Sequence, residues 1–233
     1  DYLEKAKRNH HEFALTKITP EVLDNEQTMN YQFLQSLELD DEDIYNLIKP
    51  TLDELDDIIN YDYRKALVYL RGVSLTEKSV LRPPYDYTTA MMIDSRMLND
   101  PYTYSKIRNN IKNRIDQAKL GVIAVNGNFS ILSGDPYTLC QSMFNLPVTG
   151  LLKRGEIYSH YWQERGKTRV AGFRAPMTVH NNIVVMNIAN NDEVNKWYKY
   201  MDTVTILNAW DNSCATLNGA DFDGDTIMTT DNQ

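Results

Sequence analysis

Near its C-terminus the chain reads Asn218-Gly219-Ala220-Asp221-Phe222-Asp223-Gly224-Asp225, with three carboxylates on alternate residues around one glycine. Folding alone does not reward such a concentration of like charge. In an extended segment, side chains two residues apart point to the same side at a spacing of about 7 Å. Gly224 lets the chain curl so that all three oxygens converge. Converging carboxylates raise one another's pKa unless a cation neutralises them, and an all-oxygen donor set suits a hard ion such as Mg²⁺, Mn²⁺ or Ca²⁺. A solvated acidic turn is the bland alternative. A Ca²⁺ loop of the EF-hand kind begins similarly but needs glycine at its sixth position and glutamate at its twelfth. Counted from Asp221, the chain has Thr226 and Asn232 there, and counted from Asp223 it puts Ile227 at a ligand position.

The segment Ala220–Asp225 resembles the catalytic Asn-Ala-Asp-Phe-Asp-Gly-Asp signature of the largest subunit of multisubunit RNA polymerases. Variants of it occur in single-chain phage polymerases and in cellular RNA-dependent RNA polymerases of the two-barrel type. Upstream, Arg174-Ala175-Pro176-Met177-Thr178-Val179-His180 is similar to the family's Arg-Ala-Pro-Thr-Leu-His, with one extra residue here. Between the two motifs run the apolar stretches Ile183–Met186 and Val204–Leu207, then the small residues Ser213–Thr216. The resemblance covers Arg174 to about Thr229.

It implies an α+β chain with a double-psi β-barrel catalytic core, and nucleotidyl transfer to an RNA 3′ end. By that resemblance Asp221, Asp223 and Asp225 jointly hold Mg²⁺, and a second Mg²⁺ arrives on the incoming ribonucleoside triphosphate. Such chemistry asks the protein mainly for positioning and for charge stabilisation. Arg174 maps near the nucleotide sugar and the growing RNA end, where a planar cationic fork suits oxygen-rich ligands. Asn218 corresponds to an asparagine that senses the ribose 2′-hydroxyl, although Gly219 intervenes here. His180 falls beneath the nucleotide, and Phe222 is expected to face away from the metal and anchor the loop in the core. The implied partners are a DNA template, an RNA product and a second barrel carrying lysines for the phosphates. An RNA-templated polymerase and a non-catalytic divalent-metal-binding module remain open alternatives.

With 42% hydrophobic residues, 233 residues can build one large or two small domains. No apolar run is long enough to span a membrane. Cys140 and Cys214 form no Cys-x-x-Cys pattern, so two reduced thiols in a cytoplasmic setting are expected, in the host cytoplasm or a virion if a phage encodes the chain. The chain starts at Asp1 without a signal segment and ends at Gln233, just past the aspartates, so it is expected to be part of something larger. The net charge of −8 is unevenly spread. Residues 1–60 hold 15 acidic and 5 basic side chains, whereas residues 64–174 hold 17 basic and 8 acidic. The basic middle is where phosphate contacts are expected, or else it is a solvated mixed surface.

Two regions emerge. Residues 1–120 read as mainly helical, with Leu34, Leu37, Leu47 and Ile48 before Pro50 and Leu52, Leu55, Ile58 and Ile59 after it. His10-His11-Glu12 lacks the spacing of a metal site. Val80–Tyr85, rich in proline, reads as a loop, and a further helix spans about Thr103–Leu120, with Arg108, Lys112 and Lys119 flanking its apolar stripe. Residues 121–233 read as the barrel with its metal loop. Strand candidates are Val122–Val125, Phe129–Leu132, Glu156–Ser159 and Arg169–Phe173, with turns at Asn126-Gly127-Asn128 and Ser133–Pro136 and small helices at 136–144 and 192–201. There is no internal sequence repeat.

Overall fold

The computed structural model describes residues 2–11, 26–59, 67 and 86–232. Its organising element is the ten-residue strand β2 (Ala124–Ser133), which follows β1 (Glu26–Thr28) and pairs with it antiparallel. After β2 come β3 (Glu156–Tyr158), β4 (Arg169–Phe173), β5 (Val184–Ile188), β6 (Val204–Leu207) and β7 (Thr226–Thr230). The strands neighbour one another in the order β2-β6-β3-β5-β4-β7, and β7 returns to β2. That last pairing closes a six-stranded barrel, which removes sheet edges.

The pairings β2–β6 and β3–β5 are parallel, and the others in the barrel are antiparallel. Exchanging β2, β3 and β4 for β5, β6 and β7 maps every pairing onto a pairing of the same sense. Two interlocked halves with crossing connections result, which is the double-psi arrangement. A topological repeat is therefore present where the sequence shows none.

Asn126-Gly127-Asn128 is not a turn. It lies within β2, because Gly127 serves a close approach rather than a reversal: a Cβ there would stand 2.9 Å from the Thr229 carbonyl and 2.4 Å from Met228 Cε. Its φ is not left-handed, so the hairpin geometry that Asn-Gly favours is not used. One uninterrupted strand thereby reaches β1 through residues 124–126, β7 through 127–131 and β6 through 131–133.

Four short helices lie between the barrel strands in chain order: α6 (Pro136–Met143), α7 (His160–Glu164), α8 (Asp192–Tyr198) and α9 (Ser213–Thr216), numbered after the five α-helices that precede β2 among the described residues. The Asp135 carboxylate accepts the N–H groups of Tyr137 and Thr138, and Pro136 stands where a helix needs no N–H, so α6 starts there. Asn191 caps α8 by accepting the Val194 N–H at 3.0 Å. The barrel interior packs Leu132, Ile157, Tyr161, Trp162, Val170, Met186, Leu207 and Ile227. Its buried polar groups are paired: Trp162 Nε1 donates to Thr229 Oγ1 at 2.8 Å, and Ser130 and Thr205 hydroxyls meet at 2.6 Å.

Ahead of the barrel lie α1 (Tyr2–Arg8), α2 (Tyr31–Leu34), α3 (Asp41–Ile59), α4 (Asp86–Ile93) and α5 (Pro101–Lys119). Helix α3 continues through Pro50. Met29 and Phe33, with Leu34, Leu37, Leu47 and Ile48, pack on Ile123, Val125, Phe173, Met177 and Met228 of the barrel. The ion pair Arg114–Glu54 at 3.0 Å ties α5 to α3, while Ile107 and Ile111 bury against Met91. Arg108, Lys112 and Lys119 are exposed along α5. The proline-rich segment 80–85 and Glu12 lie outside the described residues, as do the basic residues between 68 and 85. Among the described residues no helix is long and apolar enough to cross a membrane.

Candidate metal centre

The loop that joins α9 to β7 is shaped by three left-handed residues. Asn218 (φ 58°) and Gly219 (φ 68°) turn the chain out of α9, and Gly224 (φ 126°) turns it into β7. Asparagine and glycine adopt that region at least cost. Leu217 and Ala220 anchor the loop's base in the barrel core, and the Asp225 carbonyl accepts the Leu132 N–H at 2.8 Å. The loop is thus fixed at the C-terminal end of β2 while its tip reaches solvent.

At that tip Asp221, Asp223 and Asp225 each offer a carboxylate oxygen, all within 4.8 Å of one another. Asp221 and Asp223 are exposed and Asp225 is half-buried. The carboxyl of Asp223 is pushed up from the ordinary carboxylate value by the hydrogen bond and the charge of Asp221, with Asp225 adding to the repulsion. Asp225 moves the other way, held low by the Arg174 guanidinium and by the Asp221 N–H. These opposite shifts are those of a crowded acidic cluster with one cation at its side. Convergence, crowding and the all-oxygen donor set fit a hard divalent cation.

Arg174, the residue after β4, places Nη2 at 2.6 Å from Asp225 Oδ2. Its Nη1 donates to the Asn218 carbonyl at 3.4 Å, and Asn218 Nδ2 donates to the Pro176 carbonyl at 3.0 Å. The two sequence motifs therefore meet through Arg174 and Asn218. Gly219, the intervening residue, continues the left-handed turn that Asn218 begins.

His180 is not part of this group. It is exposed, and its Nδ1 lies 3.1 Å from the Ser36 carbonyl, so it joins the barrel to the helical region. Phe222 departs from the sequence expectation: it is 53% exposed and packs over Gly134 instead of entering the core. A Cβ at Gly134 would stand 2.9 Å from the Phe222 ring, so the missing side chain makes the seat. The core position beneath the loop is filled by Leu217 and Ala220 instead. The Arg174–Asp225 ion pair joins motifs far apart in sequence, and no local pattern signals it.

No family model matches the chain. Over 178 residues, 74% of its length, it is 27% identical to the DNA-directed RNA polymerase YonO of Bacillus phage SPbeta. Among solved structures, the RNA dependent RNA polymerase QDE-1 from Thielavia terrestris shares the fold over 87% of this chain, with a TM-score of 0.50 and 11% identity. Both are RNA polymerases. The chain spans 20% of the first and 24% of the second.

Proposed function

We propose that this chain is the aspartate-bearing barrel of a DNA-directed RNA polymerase of the two-barrel kind, braced by the helical region of residues 1–120. The convergence of three carboxylates within 4.8 Å at the end of a closed barrel carries this reading, and the sequence likeness to a DNA-directed RNA polymerase supports the template. Asp221, Asp223 and Asp225 are the ligands of Mg²⁺. Bound there, the ion would lower the pKa of the RNA 3′-hydroxyl and neutralise charge on the transferred phosphoryl group. The protein's own part is placement. The turns at Asn218, Gly219 and Gly224 hold the carboxylates together, Arg174 and Asn218 border the space where nucleotide oxygens enter, and His180 ties the barrel to the helical region through the Ser36 carbonyl.

The second barrel, which supplies cations for the triphosphate, comes from outside these residues. An uncharged run from Pro136 to Leu152, which follows the Gly134 seat of Phe222, supports that part of the proposal. Within it Leu139, Met143, Phe144 and Leu146 are 56–73% exposed, as a face covered in an assembly would be. The test is ribonucleotide incorporation by the intact polymerase on DNA and on RNA templates. DNA-directed synthesis supports the proposal, synthesis on RNA alone moves the chain to the RNA-templated class, and metal binding without synthesis on either leaves a metal-binding interaction module.

A further inference from the structure

Arg174 makes an ion pair with one triad carboxylate and none with the other two among the described residues. The pair is partly shielded, with side-chain exposures of 15% and 20%, so its charges are less screened than those of a surface pair. The oxygen it uses, Asp225 Oδ2, also accepts the Asp221 N–H at 2.9 Å. Asp225 therefore has two tethers, one cationic and one neutral. The guanidinium is in turn held from behind by the Asn218 carbonyl at 3.4 Å.

We propose that Arg174 is the resident counter-ion of the aspartate cluster: it shares Asp225 with the incoming divalent cation in opposition, so that cation binding loosens the arginine and frees it for an anionic substrate. This rests on the reading of the triad as a metal site. Two effects of the arginine compete. As an orienting partner it strengthens the site, because groups that fix a ligand typically raise metal affinity. As a positive charge on a carboxylate that would also hold the cation, it weakens the site. The second effect wins here, because Asp225 keeps the Asp221 N–H when the guanidinium leaves, so orientation survives while repulsion does not. Linkage makes the effect reciprocal: whatever Arg174 takes from cation affinity, the cation takes from the Arg174–Asp225 pair. The order of events is then built in, with the cation first and the arginine available to substrate oxygens afterwards.

The experiment is a Mn²⁺ titration of the 233-residue chain, with free Mn²⁺ followed by its electron paramagnetic resonance signal, for the unaltered chain, Arg174→Gln, Arg174→Lys and Asp223→Ala. Arg174→Gln is expected to bind Mn²⁺ about three- to tenfold more tightly, an order-of-magnitude estimate for removing one nearby charge. Arg174→Lys, which keeps the charge, is expected to stay near the unaltered chain. Equal or weaker binding by Arg174→Gln overturns the proposal while leaving the metal site standing. Indistinguishable binding by the unaltered chain and Asp223→Ala overturns the metal site and the proposal with it. A second measurement needs no variant: phenylglyoxal modification of Arg174, resolved by peptide mass spectrometry against the exposed Arg108, should quicken severalfold when Mn²⁺ is added. An unchanged or slower rate overturns the proposal.

Discussion

In the first half of the barrel the connection from α7 to β4 carries Arg165 and Lys167, whereas the matching connection in the second half, from α9 to β7, carries Asp221, Asp223 and Asp225. The cations of the first are used internally. Arg165 lies 3.5 Å from the Tyr161 ring centroid and donates to the Tyr161 carbonyl at 3.0 Å, and Lys167 pairs with Asp231 at 2.5 Å. The acids of the second crowd one another in solvent with one arginine beside them. Their helices differ in the same sense. Helix α7 drives Tyr161 and Trp162 into the core, while α9 is built from Ser213, Cys214, Ala215 and Thr216 and leaves its loop free to project. On the proposed function, one pairing plan supports a structural end and a chemical end, and side-chain choice decides which is which.

The comparison breaks most readily at Asp223. Asp223→Ala should abolish nucleotide addition by the intact polymerase without lowering its melting temperature, because the deleted group is exposed and its removal relieves repulsion. Retained activity would remove the chemical end from the account. Next comes Trp162→Ala, at the structural end, which should destabilise the fold by about 3–5 kcal/mol in chemical denaturation. The residue is fully buried and its Nε1 bonds Thr229. A cost below about 1 kcal/mol would mean that α7 is no more of an anchor than α9.

Gly134→Ala should cost about 1 kcal/mol and weaken Mn²⁺ binding, since the new methyl meets the Phe222 ring and shifts the loop. Unchanged Mn²⁺ binding would show that Phe222 does not steady the aspartates. The smallest effect is expected at Asp211, which lies just ahead of α9 and accepts the Ser213 N–H and hydroxyl. Burial pushes its carboxyl up, but hydrogen bonds from Ser213, Asn208 and the Gly155 N–H outweigh that and bring it below its ordinary value of 3.8. A carboxyl lowered by folding adds stability above the unfolded value and loses it as pH falls through the folded one. The stability gap between the unaltered chain and Asp211→Asn should accordingly be constant near neutrality and close below pH 3.8. A gap that widens on acidification would contradict the network.

The triad was legible because its signal is local: spacing, charge and one glycine lie within five residues of sequence. Strands β3 to β6 were legible as short apolar runs between turn residues, and α6 from Asp135-Pro136, whereas β7 carried no such signal. What local pattern could not supply was long-range. Asn126-Gly127-Asn128 carries the signature of a hairpin, yet Gly127 is needed for the approach of Met228 and Thr229 across the barrel. The family resemblance implied a double-psi barrel, but closure by β7 on β2 and the relation between the two halves depend on which strands meet and emerged only in three dimensions. Phe222 looked like a core residue from its apolarity, and its seat over Gly134 could not be seen from a neighbourhood that contains no Gly134. Arg174 was singled out from its motif, but its partner Asp225 emerged only in three dimensions.

The central claim is that the aspartate loop holds a divalent cation, and replacing Mg²⁺ by Fe²⁺ tests it most directly. With ascorbate and peroxide, a bound Fe²⁺ generates hydroxyl radicals that cut the backbone beside it. The account predicts scission confined to the loop 218–225 and the facing segment 174–176, suppressed by excess Mg²⁺ and absent in Asp223→Ala. Scission elsewhere in the chain, or scission at the loop that survives Asp223→Ala, would contradict it.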